Sequence, residues 1–105
     1  MAIAIVEKLR NAVGSLTEVI IDLDGPSSYL ADGQALNASD LGLRYILCAV
    51  AGGSDNGDQF CAVGHASKGS VKSVKVAWFV NTTGAEVANG VDLSARFVRV
   101  RVVGR

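Results

Sequence analysis

Residues 96 to 105 read Arg96-Phe97-Val98-Arg99-Val100-Arg101-Val102-Val103-Gly104-Arg105, and the alternation of Val98, Val100 and Val102 with Arg99 and Arg101 is the period of a β-strand. One face of that strand enters a core; the other is basic. The exposed arginine row must meet water or a partner. A chain that closes on such a strand is expected to carry no tail for targeting.

Working back from this strand, the same period recurs. Val74, Val76, Trp78 and Val80 share one face of a long strand whose other face holds Ser73, Lys75, Ala77 and Phe79, which places Trp78 in the core. Residues 44 to 51 form an apolar run of strand length, and Gln59 to Ser67 is its partner across Gly52-Gly53-Ser54-Asp55-Asn56-Gly57-Asp58, a segment dense in turn residues. Asn81-Thr82-Thr83-Gly84 and Asn89-Gly90 are further turns, and Asp92-Leu93-Ser94 leads into the closing strand.

The beginning of the chain reads two ways. Val6, Leu9, Val13 and Leu16 fall on one helical stripe, whereas Ile3-Ala4-Ile5-Val6 starts like a strand. Val19, Ile21 and Leu23 then alternate with Glu18, Ile20 and Asp22, and Gly14-Ser15 suits a preceding turn, so a two-stranded hairpin is the preferred reading. The stretch from Asp24 to Asp40 reads as loop, with the single proline, Pro26, and with Asn37 placed to cap one helical turn. Loops of this length inside compact domains usually serve binding or assembly. The expected fold is all-β: an antiparallel β-sandwich or small barrel of about six or seven strands with at most one short helical turn.

A chain of 105 residues accommodates one core, so 1–105 is read as a single β-domain with a long loop at 24–42. Half of its residues are hydrophobic and its mean hydropathy is +0.34. A domain of this size leaves about a third of its unfolded surface exposed, so some apolar surface is expected to meet another subunit. The formal net charge is zero, but residues 1 to 58 carry 3 basic and 8 acidic side chains and residues 59 to 105 carry 7 and 2. If the halves map to different faces, the domain has opposed acidic and basic sides suited to neighbour packing. The basic residues are not interleaved with aromatics, which disfavours nucleic-acid binding.

Chemistry-bearing motifs are scarce. Cys48 and Cys61 flank the turn at Asp55-Asn56-Gly57 with a spacing that fits no zinc motif, and they read as small buried hydrophobes, with a disulfide as the alternative. Asp22, Asp24, Asp32 and Asp40 would be the material for acid–base or cation chemistry, yet their spacing matches no calcium loop, and turn chemistry accounts for aspartates in loops. His65 has no nucleophile placed for it by a recognisable motif. No catalytic residue, metal ligand or cofactor is expected. Glu7 and Lys8 interrupt the first apolar stretch, so neither a signal peptide nor a membrane span is expected.

Tyr29, Gly33, Leu36 and Asp40-Leu41-Gly42-Leu43 follow an early strand; Gly84-Ala85-Glu86-Val87 and Gly90-Val91-Asp92-Leu93-Ser94 come later; an arginine-bearing strand ends at Gly104-Arg105. This combination, spanning most of the chain, resembles the small structural proteins of tailed bacteriophage virions, and among them the head decoration or cement proteins. The resemblance implies a non-enzymatic protein that binds the major capsid protein lattice and stabilises the DNA-filled head. It further implies a homo-oligomer, a trimer in the first instance, on the capsid surface of the virion after synthesis in the host cytoplasm, with no direct nucleic-acid or membrane contact. Expected contact residues, to capsid or to neighbouring subunits, are Tyr29, Asp32 and Gly33 from the long loop and Arg99, Arg101 and Arg105 from the last strand. The competing reading of the arginines is a solvated strand face that discourages edge aggregation. Competing readings of the whole are a carbohydrate- or host-surface-binding module that stacks sugar on an exposed Tyr29, or a tail or neck protein of the virion.

Overall fold

The ambiguous N-terminal segment is strand wherever it is described. In the computed structural model, which describes residues 5–31, 33–65 and 69–105, β1 (Ile5–Val13) and β2 (Leu16–Asp24) form an antiparallel hairpin closed by Gly14-Ser15. Gly14 adopts a left-handed φ of 61°, which a residue without a Cβ reaches at no steric cost. The helical spacing of Val6 and Leu9 has a strand explanation. The register shifts between Glu7 and Leu9, so Val6 pairs with Asp22 and Leu9 with Ile20. Asp22 and Ile20 lie on one side of β2, and the extra residue of the bulge therefore brings positions three apart onto the same face.

Five further strands follow: β3 (Gln34–Asn37), β4 (Ile46–Ser54), β5 (Gln59–His65), β6 (Ser73–Val80) and β7 (Phe97–Gly104). Among the described residues all seven pair antiparallel, in the order β1-β2-β7-β4-β5-β6-β3, as one sheet curled into a half-barrel. The C-terminal strand thus lies inside the sheet. β7 pairs with β2 through Val19↔Val102, Ile21↔Val100 and Leu23↔Val98, and on its other side with β4. The curl is localised in β4. That strand follows β7 until its register shifts between Ala51 and Ser54, and it meets β5 at Gly53↔Phe60. Gly52 and Gly53 occupy the bend, where the chain carries no side chains to crowd it.

The inner face of the curl holds a single core cluster. Val19, Ile21, Leu23, Val98, Val100, Val102, Val76 and Trp78 are fully buried, and Tyr29, Val87 and Leu93 enter the cluster from the connecting segments. The Trp78 indole N–H donates to Gln34 Oε1 at 2.9 Å, which satisfies the one polar group that this large side chain brings inside.

Three expectations need correction. The 24–42 segment is not loop throughout: β3 adds an edge strand to β6 through Gln34↔Val76 and Leu36↔Val74, and a 3-10 turn spans Ala38–Leu41. With only Leu36 buried out of four residues, β3 is too short for alternation to reveal. The turn begins at Asn37, as expected, and the Asn37 backbone N–H donates to the Asp40 carboxylate at 3.2 Å. Both cysteines are free; Cys61 is buried and Cys48 exposed, because the first faces Trp78 across β6 while the second sits beside Val103 on the outer surface. Finally, the acidic and basic halves do not form opposed faces. Glu18 and Asp22 on β2 pair with Arg101 and Arg99 on β7, and Asp55 pairs with Arg96, since sheet order brings the two halves of the chain together.

Candidate contact surfaces

The residues singled out from the sequence separate into three environments, and Asp32 lies outside the described residues. Tyr29 is fully buried, so it offers no ring to a sugar or to a capsid. Its hydroxyl donates to Glu86 Oε2 at 2.7 Å and accepts from the Trp78 backbone N–H at 3.0 Å. Tyr29 N donates to the Val91 carbonyl at 3.0 Å, and the Gly90 N–H donates to the Tyr29 carbonyl at 2.8 Å. The side chain pins the 84–93 connection to β6, a structural duty.

Burial, and with it the bond to Glu86, pushes the Tyr29 hydroxyl up to about 12; burial alone pushes the Cys61 thiol up to about 12. Both raised values favour the neutral form in the fold. The stabilisation is complete below the pKa of the unfolded chain, about 10 for Tyr and 8.5 for Cys, and is lost as pH rises through that interval towards 12. Tyr29→Phe leaves the Trp78 N–H without its acceptor and is expected to cost about 2 kcal/mol at neutral pH. Urea unfolding at pH 7 and again at pH 11 checks both effects. The variant's decline at high pH is expected to be shallower than the wild type's, with Cys61 supplying what remains.

Gly33 has a φ of 93°. A Cβ built there falls on the backbone carbonyl of Val76, so the residue lets β3 approach β6; Gly33 itself is half-buried.

Arg99 and Arg101 point outward from β7, with side chains 62% and 57% exposed, but they are engaged. Arg99 grips Asp22 with Nε–Oδ1 at 2.8 Å and Nη2–Oδ2 at 3.3 Å, and Lys8 Nζ adds a third contact to Asp22 at 3.6 Å. The hydrogen bond from Arg99 is the main reason the Asp22 carboxyl sits below its ordinary value. Arg101 pairs with Glu18, one row along. Exposed pairs of this kind add little to stability, because water and salt screen them.

Arg105 belongs to a different place. The Arg44 and Tyr45 N–H groups both donate to the main-chain oxygen of Arg105, at 2.7 and 2.9 Å, and the Arg105 N–H returns a bond to the Tyr45 carbonyl at 3.0 Å. The end of the chain is thereby held against the segment before β4. Ala38 N donates to the Lys72 carbonyl at 2.8 Å, which fixes the 3-10 turn beside the start of β6. Between these anchors lies an open groove of about 520 Å³ that includes Asn37, Ser39, Arg44, Tyr45 and Lys72. A second depression of about 470 Å³ is shared by Arg44, Tyr45 and Arg105. Among the described residues Arg44, Lys72 and Arg105 take part in no ion pair, and Tyr45 is 40% exposed. Three unpaired cations beside an amphipathic ring suit carboxylate groups on an opposing surface.

Sequence reasoning reached Arg105 but missed Arg44, Tyr45 and Lys72. The three cations come from separate stretches and meet only through the β4–β7 pairing and the Ile46↔Val71 bridge, so no local motif announces them. Among the described residues no group of three His, Cys, Asp or Glu side chains is placed to hold a metal ion, and no helix is long and apolar enough to cross a membrane. What the geometry defines is an all-β half-barrel with a groove and a depression that share Arg44 and Tyr45 and add Lys72 and Arg105. Comparison with known proteins finds no family model, no curated protein and no solved structure that matches the chain.

Proposed function

We propose that the chain is a non-enzymatic structural protein of a tailed-phage virion, a head decoration or cement protein that binds the major capsid protein lattice and stabilises the filled head. The observation that carries this reading is the groove and adjoining depression that bring Arg44, Lys72 and Arg105 together, charges that among the described residues take part in no ion pair, on a backbone held by hydrogen bonds on both sides. A protein that reinforces a shell needs a rigid core and a surface that pairs with a neighbour; the curled sheet and the groove supply the two. The sequence resemblance to decoration proteins supports the same reading. With Tyr29 buried, the carbohydrate-binding alternative loses the ring it relied on.

The test is binding to capsids that lack the protein, followed by co-sedimentation and by the temperature at which DNA is released. Saturable binding with a higher release temperature is expected. The double variant Arg44→Glu, Lys72→Glu, both at exposed positions, is expected to keep its melting temperature and to weaken capsid binding about a hundredfold or more, since rim and groove charges act through complementarity. Wild-type binding should also weaken with added salt. Failure of the wild type to bind any capsid lattice would overturn the proposal.

A further inference from the structure

Among the described residues no element packs on the outer face of β1, β2, β7 and β4, and its register gives it an order that meets itself. One row across the four strands runs Leu9, Ile20, Arg101, Val50; the next runs Asn11, Glu18, Val103, Cys48; on the other side Val6, Asp22 and Arg99 stand opposite one another. The flanks carry open apolar side chains, Val6 at 50% exposed, Leu9 at 49% and Val50 at 60%, beside Lys8 and Asn11 of β1. The two central strands carry opposite charge, with Glu18 and Asp22 on β2 and Arg99 and Arg101 on β7. These apolar side chains stand on two flanks, with the charged pairs of β2 and β7 between them.

We propose that this face binds a second copy of the chain, about a twofold axis that runs parallel to the strands between β2 and β7. Such an axis exchanges the strands in pairs. β2 of one copy lies over β7 of the other, so Asp22 lies over the partner's Arg99 and Arg99 over the partner's Asp22, Ile20 lies over the partner's Arg101, and Leu9 lies over Val50 of the partner subunit while Val50 lies over the partner's Leu9. Asn11 lies over the partner's Cys48. Packed sheets stand about 10 Å apart with strands within about 30° of one another, which lets side chains of this size meet across the gap. The apolar flanks supply the drive, whereas the ion pairs, already formed within each copy, fix the alignment at little net gain. The patch is self-complementary, the property of an isologous pair; a closed trimer would require two different patches to fit each other. This inference replaces the trimer expected from the resemblance and does not depend on capsid binding.

Sedimentation equilibrium of the full chain at micromolar concentration is expected to show a monomer–dimer equilibrium. Val50→Lys places two charges in each interface and is expected to raise the dissociation constant about a hundredfold, with the circular dichroism and melting curve of the monomer retained; Leu9→Lys serves as the second variant. A short bismaleimide is expected to join Asn11→Cys to Cys48 of the partner subunit and to leave the wild type uncrosslinked, since Cys61 is buried and the two Cys48 residues lie on opposite flanks of the axis. A monomer throughout the concentration range, a trimer, a dimer indifferent to both lysine variants, or a dimer without the Asn11→Cys cross-link would each overturn the proposal.

Discussion

Val100→Asp is expected to leave the chain unfolded at neutral pH, with neither a cooperative melting transition nor the circular dichroism of a β-protein. Val100 is fully buried in a strand that has neighbours on both sides, opposite Ile21 on β2 and Ala51 on β4. No cation lies on that face of β7 to receive a carboxylate. The substitution forfeits the burial of a valine, about 1.5–3 kcal/mol, and adds the cost of a buried charge or of forcing its neutral form, several kcal/mol more. Together these approach the whole stability of a small domain, about 5–15 kcal/mol. Arg99→Asp, one residue away on the outer face, is the control. It exchanges one exposed pair for a like-charge contact with Asp22 and is expected to remain folded with a slightly lower melting temperature. Equal melting behaviour in the two variants would reverse the assignment of faces in β7.

Gly33→Ala is expected to lower stability by about 3 kcal/mol or more, from two sources that act together. The φ of 93° strains any residue with a Cβ by about 1–3 kcal/mol. The methyl would also strike the Val76 carbonyl, and β3 cannot retreat without breaking its pairing of Gln34 with Val76. Gly57→Ala separates the two sources. Gly57 has a φ of 78° but open space around it, so only the conformational cost applies, about 1 kcal/mol. Chemical denaturation of the pair measures the difference. Equal losses would mean that β3 does not lie against Val76 as described.

These two positions mark where sequence reading succeeds and where it stops. At Val100 the period of two is local information, and six residues suffice to say which side chains go inside. The same holds for Trp78 and for the β1–β2 hairpin, whose turn is written in Gly14-Ser15. At Gly33 the sequence shows a glycine in a polar stretch and invites a functional reading; only the approach of β6, more than forty residues later, reveals why a side chain is forbidden. Tyr29 is the clearer case. An aromatic residue between serines and a leucine in a proline-bearing segment reads as exposed, yet its acceptor Glu86 and donor Trp78 come from distant parts of the chain.

The sequence by itself determined what depends on neighbours a few residues apart: the strand class, the antiparallel hairpins at glycine turns, the inner face of each long strand, and the single helical turn at Asn37. Tertiary structure alone decided the strand order, and with it the partnership of Arg99 and Arg101 with the acidic strand β2, the meeting of Arg44, Lys72 and Arg105, and the opposite fates of the two cysteines. The reason is physical. Alternation records which face of a strand avoids water, because that preference is paid residue by residue, but it carries no label for the neighbouring strand. A surface charge becomes bound or available only when sheet order has chosen which strand lies beside it.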